Sequence, residues 1–220
     1  KTSMQIVEAL AIVTGRPLLG ETVHEPCNCW VINLEDPYEE LQRRVAAAMM
    51  HYKVTADDIR GKLFLDAGRD MKIIFARQDR EGIVVDNELV SYMTAKIIEN
   101  KIGLVSVDPW VSATGINEND NVAMNAAVGA VRAVCDATDC AVSLVHHIRK
   151  GNGDDANVDS IRGAGSLLGA ARAARVINRV SQDDALKLGV SETEALGIFR
   201  VDDGKANMAP PAAKAVFRRM

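Results

Sequence analysis

The chain has 220 residues, of which 48% are hydrophobic, 25% charged and 4% aromatic. This composition is typical of a soluble globular protein and excludes a disordered chain, and the length favours one domain over two. The formal net charge of -4 argues against a surface that binds nucleic acid over its whole extent. No apolar run reaches the roughly 18 to 20 residues that span a bilayer, so we expect a cytoplasmic protein without a membrane partner.

The first half of the chain predicts helices and strands in alternation. Helical spacing of apolar residues from Thr2 to Val13 predicts a largely buried helix. The apolar run from Cys29 to Leu34 predicts a strand, and Asp36 then caps a helix whose first turn holds Pro37. The next predicted elements are a strand at 63–67, a hairpin of 72–76 with 83–85, and a helix at 89–99.

The second half continues the alternation. An apolar strand at 103–107 ends at Asp108, and a helix of about four turns begins near Asn119. A further strand at 141–145 ends at His146-His147, and the Gly, Asp and Asn content of 149–160 predicts a mobile loop. The remaining predicted elements are a helix near 166–171, strands near 174–180 and 197–202, and a break at Pro210-Pro211.

Apolar strands that alternate with helices predict an α/β fold in a single domain over residues 1–220. Its sheet should be mostly parallel, with helices on both faces. In such sheets, ligands bind at the carboxyl ends of the strands. Glu35, Asp108 and His146-His147 follow three of the predicted strands, so we expect a functional site at that edge.

Each strand-end residue suits a different step of phosphate chemistry. Asp108 can hold Mg2+, and Glu35 can act as a general base, although Asp36 behind it could be only a helix cap. One histidine of the pair can donate to a phosphate oxygen, and the spacing leaves open which one. Zinc is a weaker alternative, because no third ligand accompanies the two histidines and Cys27, Cys29, Cys135 and Cys140 lack zinc-site spacing.

Lys1-Thr2-Ser3, directly before the predicted buried helix, matches the end of the phosphate-binding motif G-x-x-x-x-G-K-[ST]. In that motif the lysine reaches the β- and γ-phosphates and the hydroxyl binds Mg2+. The glycines of the motif are absent, and the chain lacks an initiator methionine. We therefore expect a segment of a longer protein that begins at the lysine of this motif.

Seven short segments occur in a characteristic order along the chain. They are KTS at 1–3, NLEDP at 33–37, LVSVDPW at 104–110, NENDN at 117–121, CAVSLVHHIRKG at 140–151, SIRGAGSLLGAAR at 160–172 and DDGKANMAPP at 202–211. In this order they resemble the RecA-like P-loop ATPases, the family that includes the plasmid replicative helicase RepA. The resemblance covers nearly the whole chain and implies a RecA-like P-loop NTPase fold that lacks its first strand and Gly-rich loop.

The resemblance also implies ATP and Mg2+ as cofactors and a role for each matching residue. It makes Lys1, Thr2 and Ser3 the end of the phosphate-binding loop, with Thr2 and Asp108 as the Mg2+ ligands. It makes Glu35 the catalytic base and favours His147 over His146 as the phosphate sensor, with His146 left open.

Proteins of this family assemble as rings, most often hexamers, with ATP between subunits. The resemblance therefore implies a homo-oligomer in which Arg172 completes the neighbouring site as an arginine finger, with Arg162 as second choice. Lys205 could also reach a phosphate across the interface. The predicted loop at 149–160 matches the segment that such rings present to the central channel. Its two basic residues are offset by three aspartates, so contact with single-stranded DNA and a merely solvated loop both stay open.

The strand-end residues and the resemblance together predict an ATPase. The resemblance alone implies that it couples Mg-ATP hydrolysis to movement on single-stranded DNA, as a replicative helicase or a helicase-like motor. The alternative is a RecA-like switch or regulatory assembly module without unwinding activity, which a neutral or acidic loop at 149–160 favours. A third reading is a structural or binding domain, because the phosphate cradle is incomplete without its glycines.

Overall fold

A computed structural model describes residues 1–68, 72–147, 165–207 and 216–219. The chain forms two compact units, residues 1–147 and 148–220. The expectation of one domain over 1–220 stays a prediction. The predicted loop at 149–160 lies outside the described residues.

The first unit is built around a parallel sheet with helices. Its helices are α1 Thr2–Thr14, α2 Tyr38–Tyr52, α3 Ala56–Ile59, α4 Asn87–Asn100 and α5 Asn121–Thr138. Its strands are β1 Asn28–Asn33, β2 Leu63–Ala67, β3 Ala76–Gln78, β4 Ile83–Val85, β5 Ile102–Asp108 and β6 Ala141–Leu144. A 3-10 turn, Trp110–Ala113, lies between β5 and α5.

The central sheet has four parallel strands in the order β2-β1-β5-β6. One face packs against α1 and α2, where Leu10, Val31 and Leu41 share a buried cluster. On the other side of the sheet, α4 and α5 pack against each other and against β5 and β6. The prediction of an α/β fold with a parallel sheet flanked by helices is confirmed for this unit.

The helices begin and end where local chemistry dictates. The side chain of Asp120 caps α5 by accepting from the backbone N–H groups of Val122 and Ala123. Helix α1 ends at Gly15, which adopts the left-handed conformation with φ 67° that favours glycine. The apolar positions of α1 are almost all buried, as their helical spacing predicted.

The predicted strand at 72–76 is wrong over most of its length. The hairpin pairs only Ala76–Gln78 with Ile83–Val85. Within 72–75, Ile73 and Phe75 are buried, and the Phe75 ring lies 5.8 Å from that of Trp110. Tertiary packing rather than strand pairing therefore accounts for the apolar character of this stretch.

The expected cap at Asp36 is also wrong. Helix α2 begins at Tyr38, its N-cap position is Pro37, and no side chain caps it. The Asp36 carboxylate instead accepts from the side-chain amide of Asn33 and pairs with Arg44. An acidic residue before proline can either cap the helix that follows or pair with a basic side chain of that helix. Here Asp36 pairs with Arg44.

The second unit is antiparallel, so the expectation of a mostly parallel sheet does not extend to it. Its strands are β7 Ala173–Arg179, β8 Ile198–Ala206 and β9 Val216–Arg219, paired in that order. Its helices are α6 Gly165–Ala170, α7 Gln182–Leu188 and α8 Glu192–Ala195. Arg200 ties β8 to α7 through Asp184, at 2.8 Å, and also bonds Asp202. No helix in the described part of the chain is long and apolar enough to cross a bilayer.

Candidate active site

The carboxyl ends of β1, β5 and β6 lie side by side. Asn33 at the end of β1 is in register with Asp108 at the end of β5. Just beyond β1, the N–H of Leu34 donates to the carbonyl oxygen of Asp108 at 2.7 Å. Just beyond β6, the N–H of Val145 donates to the carbonyl oxygen of Val107 at 2.9 Å. The backbone therefore carries the segments of Glu35, Asp108 and His146 to one edge, as the strand pattern predicted.

The N terminus of α1 lies at this same edge. The hydroxyl of Thr2 donates to a carboxylate oxygen of Asp108 at 2.6 Å, and Asp108 is only 3% exposed. The ammonium of Lys1 donates to the carbonyl oxygen of His146 at 3.1 Å. Burial lowers the pKa of Lys1, while the charges of Asp108 and Glu35 act in the opposite direction. Lys1, Thr2 and Asp108 thus form one contiguous group.

Glu35 stands on a turn that Asn33 builds. The buried side-chain carbonyl of Asn33 accepts from the N–H groups of Glu35, at 3.0 Å, and Asp36, at 2.8 Å. An Asn side chain that bonds the backbone two residues ahead reproduces a backbone turn. Among the described residues, the exposed Glu35 side chain makes no hydrogen bond or ion pair, so it is available to a substrate.

Unlike its neighbour Glu35, Asp36 makes an ion pair and a hydrogen bond within the fold. Its carboxylate lies 3.2 Å from the guanidinium of Arg44, which also bonds Glu40 at 3.0 Å. The Asn33 amide donates to the same carboxylate oxygen at 3.2 Å. Of the two adjacent acids, only Glu35 therefore has a carboxylate without a hydrogen bond or ion pair among the described residues.

The two histidines after β6 differ in environment. His147 is exposed, whereas the side chain of His146 is 9% exposed and its Nδ1 atom has no hydrogen-bond partner within the described residues. A carboxylate oxygen of Glu118 lies 3.9 Å from that nitrogen. Burial lowers the pKa of His146, the charges of Lys1 and His147 add to this, and Glu118 opposes it. His146 is therefore neutral near pH 7, and the choice of phosphate sensor stays a prediction.

The remaining predicted residues are Ser3, Arg162, Arg172 and Lys205. Ser3 is exposed on α1, and Arg172 is exposed just after α6. The ammonium of Lys205 donates to the carbonyls of Leu168 and Gly169 at the end of α6, at 2.7 and 3.2 Å. Arg162 lies outside the described residues, and the roles proposed for all four stay predictions.

Three residues of this edge were missed by the sequence reasoning. The turn at Asn33 could have been predicted, because an asparagine at the end of a strand often accepts hydrogen bonds from the backbone of the next residues. Arg44 lies eight residues from its partner Asp36, so no local pattern indicates the pair. Glu118 lies in the NENDN segment, whose local pattern gives no sign of a distant histidine partner.

The donor set at this edge suits a hard cation. Thr2 offers a hydroxyl and Asp108 a carboxylate, the oxygen ligands that Mg2+ prefers. No side chain caps the N terminus of α1, which leaves its first N–H groups and the positive end of its dipole to an anion. The site therefore fits a metal-bound phosphate.

A soft metal site finds no support elsewhere in the described residues. They contain no group of three His, Cys, Asp or Glu residues that could hold a metal ion, and all four cysteines are free. Burial raises the pKa of the Cys140 thiol to about 12, so it is not a thiolate at neutral pH.

Comparison with known proteins adds one match. A family model described as an AAA domain matches residues 1–153, which is more than half of the 220 residues and contains the whole edge described above. A search of the curated proteins finds no match.

Proposed function

The chain belongs to the AAA domain family, and from that premise we propose that it hydrolyses Mg-ATP at the carboxyl ends of β1, β5 and β6. The observation that carries the proposal is the 2.6 Å hydrogen bond between the Thr2 hydroxyl and the Asp108 carboxylate. It joins the start of a buried helix to the end of a buried strand, and P-loop ATPases use a hydroxyl and a carboxylate at those two positions to hold Mg2+.

Lys1 is the phosphate-contacting lysine in this proposal. It directly precedes helix α1, and its ammonium donates to the carbonyl oxygen of His146 after β6. Lys1 therefore lies at the edge that holds Thr2 and Asp108.

The residues of the site divide the work of phosphoryl transfer. Thr2 and Asp108 would hold Mg2+, which when bound supplies positive charge to the phosphate oxygens. The Lys1 ammonium binds the β- and γ-phosphates, and the N–H groups at the start of α1 add their dipoles. Catalysis then depends on positioned charge more than on covalent chemistry.

Glu35 is the general base. As the water oxygen bonds the γ-phosphorus and the bond to the bridging oxygen breaks, Glu35 takes the proton that the water releases. The Asn33 turn holds the backbone of Glu35, while Arg44 neutralises Asp36. One carboxylate, not two, is therefore left to accept the proton.

The histidine pair is the proposed sensor of the γ-phosphate. His147 remains the favoured donor because it is exposed, and His146 remains open because its carbonyl contacts Lys1. The proposed assembly is a homo-oligomeric ring, with a hexamer as the favoured form. In such a ring, Arg172 of one subunit would reach the ATP of the next. An arginine supplied in this way contributes about a thousandfold or more to the rate.

The proposed work of hydrolysis is movement on single-stranded DNA, as a replicative helicase or helicase-like motor. The acidic balance at 149–160, where Asp154, Asp155 and Asp159 outnumber Arg149 and Lys150, favours the second candidate. That candidate is an ATP-dependent switch that regulates an assembly without unwinding DNA. Stimulation of the ATPase rate by single-stranded DNA separates the two, because only the motor requires it.

The ATPase proposal is tested on the full-length natural protein. We expect Lys1→Ala and Asp108→Asn each to lower the turnover rate by roughly a hundredfold or more, with Lys187→Ala and Asp183→Asn as exposed matched controls. Turnover that survives both site variants would contradict the proposal. A nonhydrolysable ATP analogue should bind the full-length chain with micromolar affinity in calorimetry, and tight binding by a chain that starts at Lys1 would contradict the role given to its loop.

The arginine finger is tested by mixing inactive subunits. Arg172→Ala and Lys1→Ala chains should each be inactive alone but partly active together, because some interfaces then carry both groups. Absence of rescue at every mixing ratio would count against a finger that acts between subunits.

A further inference from the structure

A small cavity lies between α1 and the sheet, and the polar residues Gln5, Glu8, Ser106 and Ser143 are among those that line it. Its volume is about 10 Å3, which is close to the least space that holds one water molecule. Gln5 of α1 and Ser106 of β5 both line it. The cavity is thus bounded by the same helix and strand that carry the two magnesium ligands.

Two of the polar side chains in this cavity are buried without partners. Gln5 is 8% exposed and Ser106 is 4% exposed. Neither the amide nitrogen nor the amide oxygen of Gln5 makes a hydrogen bond within the described residues, and neither does the hydroxyl of Ser106. Each such unpaired group costs roughly a factor of ten in the folding equilibrium. A partner shared by Gln5 and Ser106 would therefore offset part of this cost.

We propose that one buried water molecule occupies this cavity, bridges Gln5 to Ser106, and so aligns α1 with β5 for magnesium binding. A water molecule both donates and accepts, so it can accept from the Gln5 amide nitrogen and donate to the Ser106 hydroxyl. Buried waters of this kind make about three hydrogen bonds and fill polar sites of this size.

The register of the two elements links the water bridge to the site. Gln5 lies three residues after Thr2, so the two side chains share one side of α1. Ser106 lies two residues before Asp108, so these share one face of β5. Two connections therefore join the helix to the strand. The first is the direct hydrogen bond between Thr2 and Asp108, and the second, one helical turn further along α1, runs through the water. Gln5 and Ser106 are positioning residues, and this part of the inference rests on the proposed function.

The water itself is tested without any assay of activity. Gln5→Met and Ser106→Ala are made singly and together, and the free energy of unfolding is measured in urea. Each single change leaves a polar group unpaired, whereas the double variant replaces both ends of the bridge with apolar groups, so the double variant should be no less stable than the worse single variant. Strictly additive losses, or a high-resolution crystal structure without a water between the two side chains, would overturn the bridge.

The positioning role is tested by the magnesium dependence of turnover in the full-length chain. All three variants should raise the Mg2+ concentration for half-maximal rate by about threefold to tenfold, the worth of one hydrogen bond, and should leave Mg2+-free nucleotide affinity unchanged. Ser106→Thr keeps the hydroxyl and should restore the wild-type value. The matched controls are Gln78→Met and Ser91→Ala on exposed positions.

Two failures remain distinguishable in this design. If the wild-type chain has no ATPase activity, the proposed function fails. The urea unfolding of the single and double variants and the crystal structure still decide whether the water bridge exists. If activity is normal and the Mg2+ dependence of all three variants equals that of the controls, the positioning role is overturned.

Discussion

Replacing Asn33 by alanine removes the turn that presents Glu35. Asn33 is 1% exposed, and its side chain makes three hydrogen bonds, to the N–H groups of Glu35 and Asp36 and to the Asp36 carboxylate. At about 0.5 to 1.5 kcal/mol for each bond, Asn33→Ala should lower the free energy of unfolding by roughly 2 to 4 kcal/mol. Urea unfolding followed by circular dichroism measures the change.

Two further variants sharpen this prediction. Asn119→Ala removes the same side chain from an exposed position and should cost less than about 0.5 kcal/mol. Asn33→Asp keeps the oxygen that accepts from the two N–H groups, but it replaces the amide donor with a second carboxylate beside Asp36. It should therefore still destabilise, and more at neutral pH than at acidic pH, where protonation relieves the repulsion. If Asn33→Ala costs no more than Asn119→Ala, the turn does not support Glu35.

Three shorter predictions follow from burial and backbone contacts. Burial lowers the pKa of His146 below its ordinary 6.5, so below that pH the unfolded chain binds more protons and the free energy of unfolding falls. His146→Gln should flatten this slope in urea unfolding across the acidic range, and an unchanged slope would contradict it. Gly68→Ala should destabilise because its new Cβ would lie 2.7 Å from the Cα of Leu34, whereas Gly129→Ala in open space should stabilise α5 by about 0.5 to 1 kcal/mol; equal thermal shifts would refute this reasoning. The Cys140 thiol, with a pKa of about 12, should resist alkylation at neutral pH until the chain unfolds, and rapid modification of the folded chain would contradict its burial.

The parallel sheet and its polar edge could be predicted because burial on both faces makes the central strands β1 and β5 largely apolar. Glu35 is the first acid after β1, and Asp108 is the acid at the end of β5. Helices α1 and α5 were predictable for a related reason, since their apolar residues repeat with the helical period. These signals are local, and the sequence carries them directly.

The parts that escaped prediction depend on distant contacts. Phe75 belongs to an apolar stretch that reads as a strand, but its burial comes from Trp110 and not from strand pairing. The partner of Asp36 is Arg44, the seventh residue of α2. Neither outcome follows from spacing, because both depend on how separate elements pack.

Short polar helices were missed although their signals were present. Helix α3 begins at a capping box of Thr55 with Asp58, and α8 begins at one of Ser191 with Glu194. Each pair satisfies two backbone donors reciprocally, which stabilises a single turn without an apolar face. A reading based on apolar periodicity overlooks such helices, and it also gives no information about the antiparallel direction of β7 and β8.

The central claim is that Glu35 is the base of an ATPase, and Glu35→Gln in the full-length chain tests it most directly. Nucleotide affinity and turnover are measured on the same preparation, with Glu39→Gln as the exposed matched control. Glu35→Gln should keep its affinity for Mg-ATP and lose turnover by about a hundredfold or more, while the control should be unchanged. Hydrolysis by Glu35→Gln at the rate of the control would contradict it.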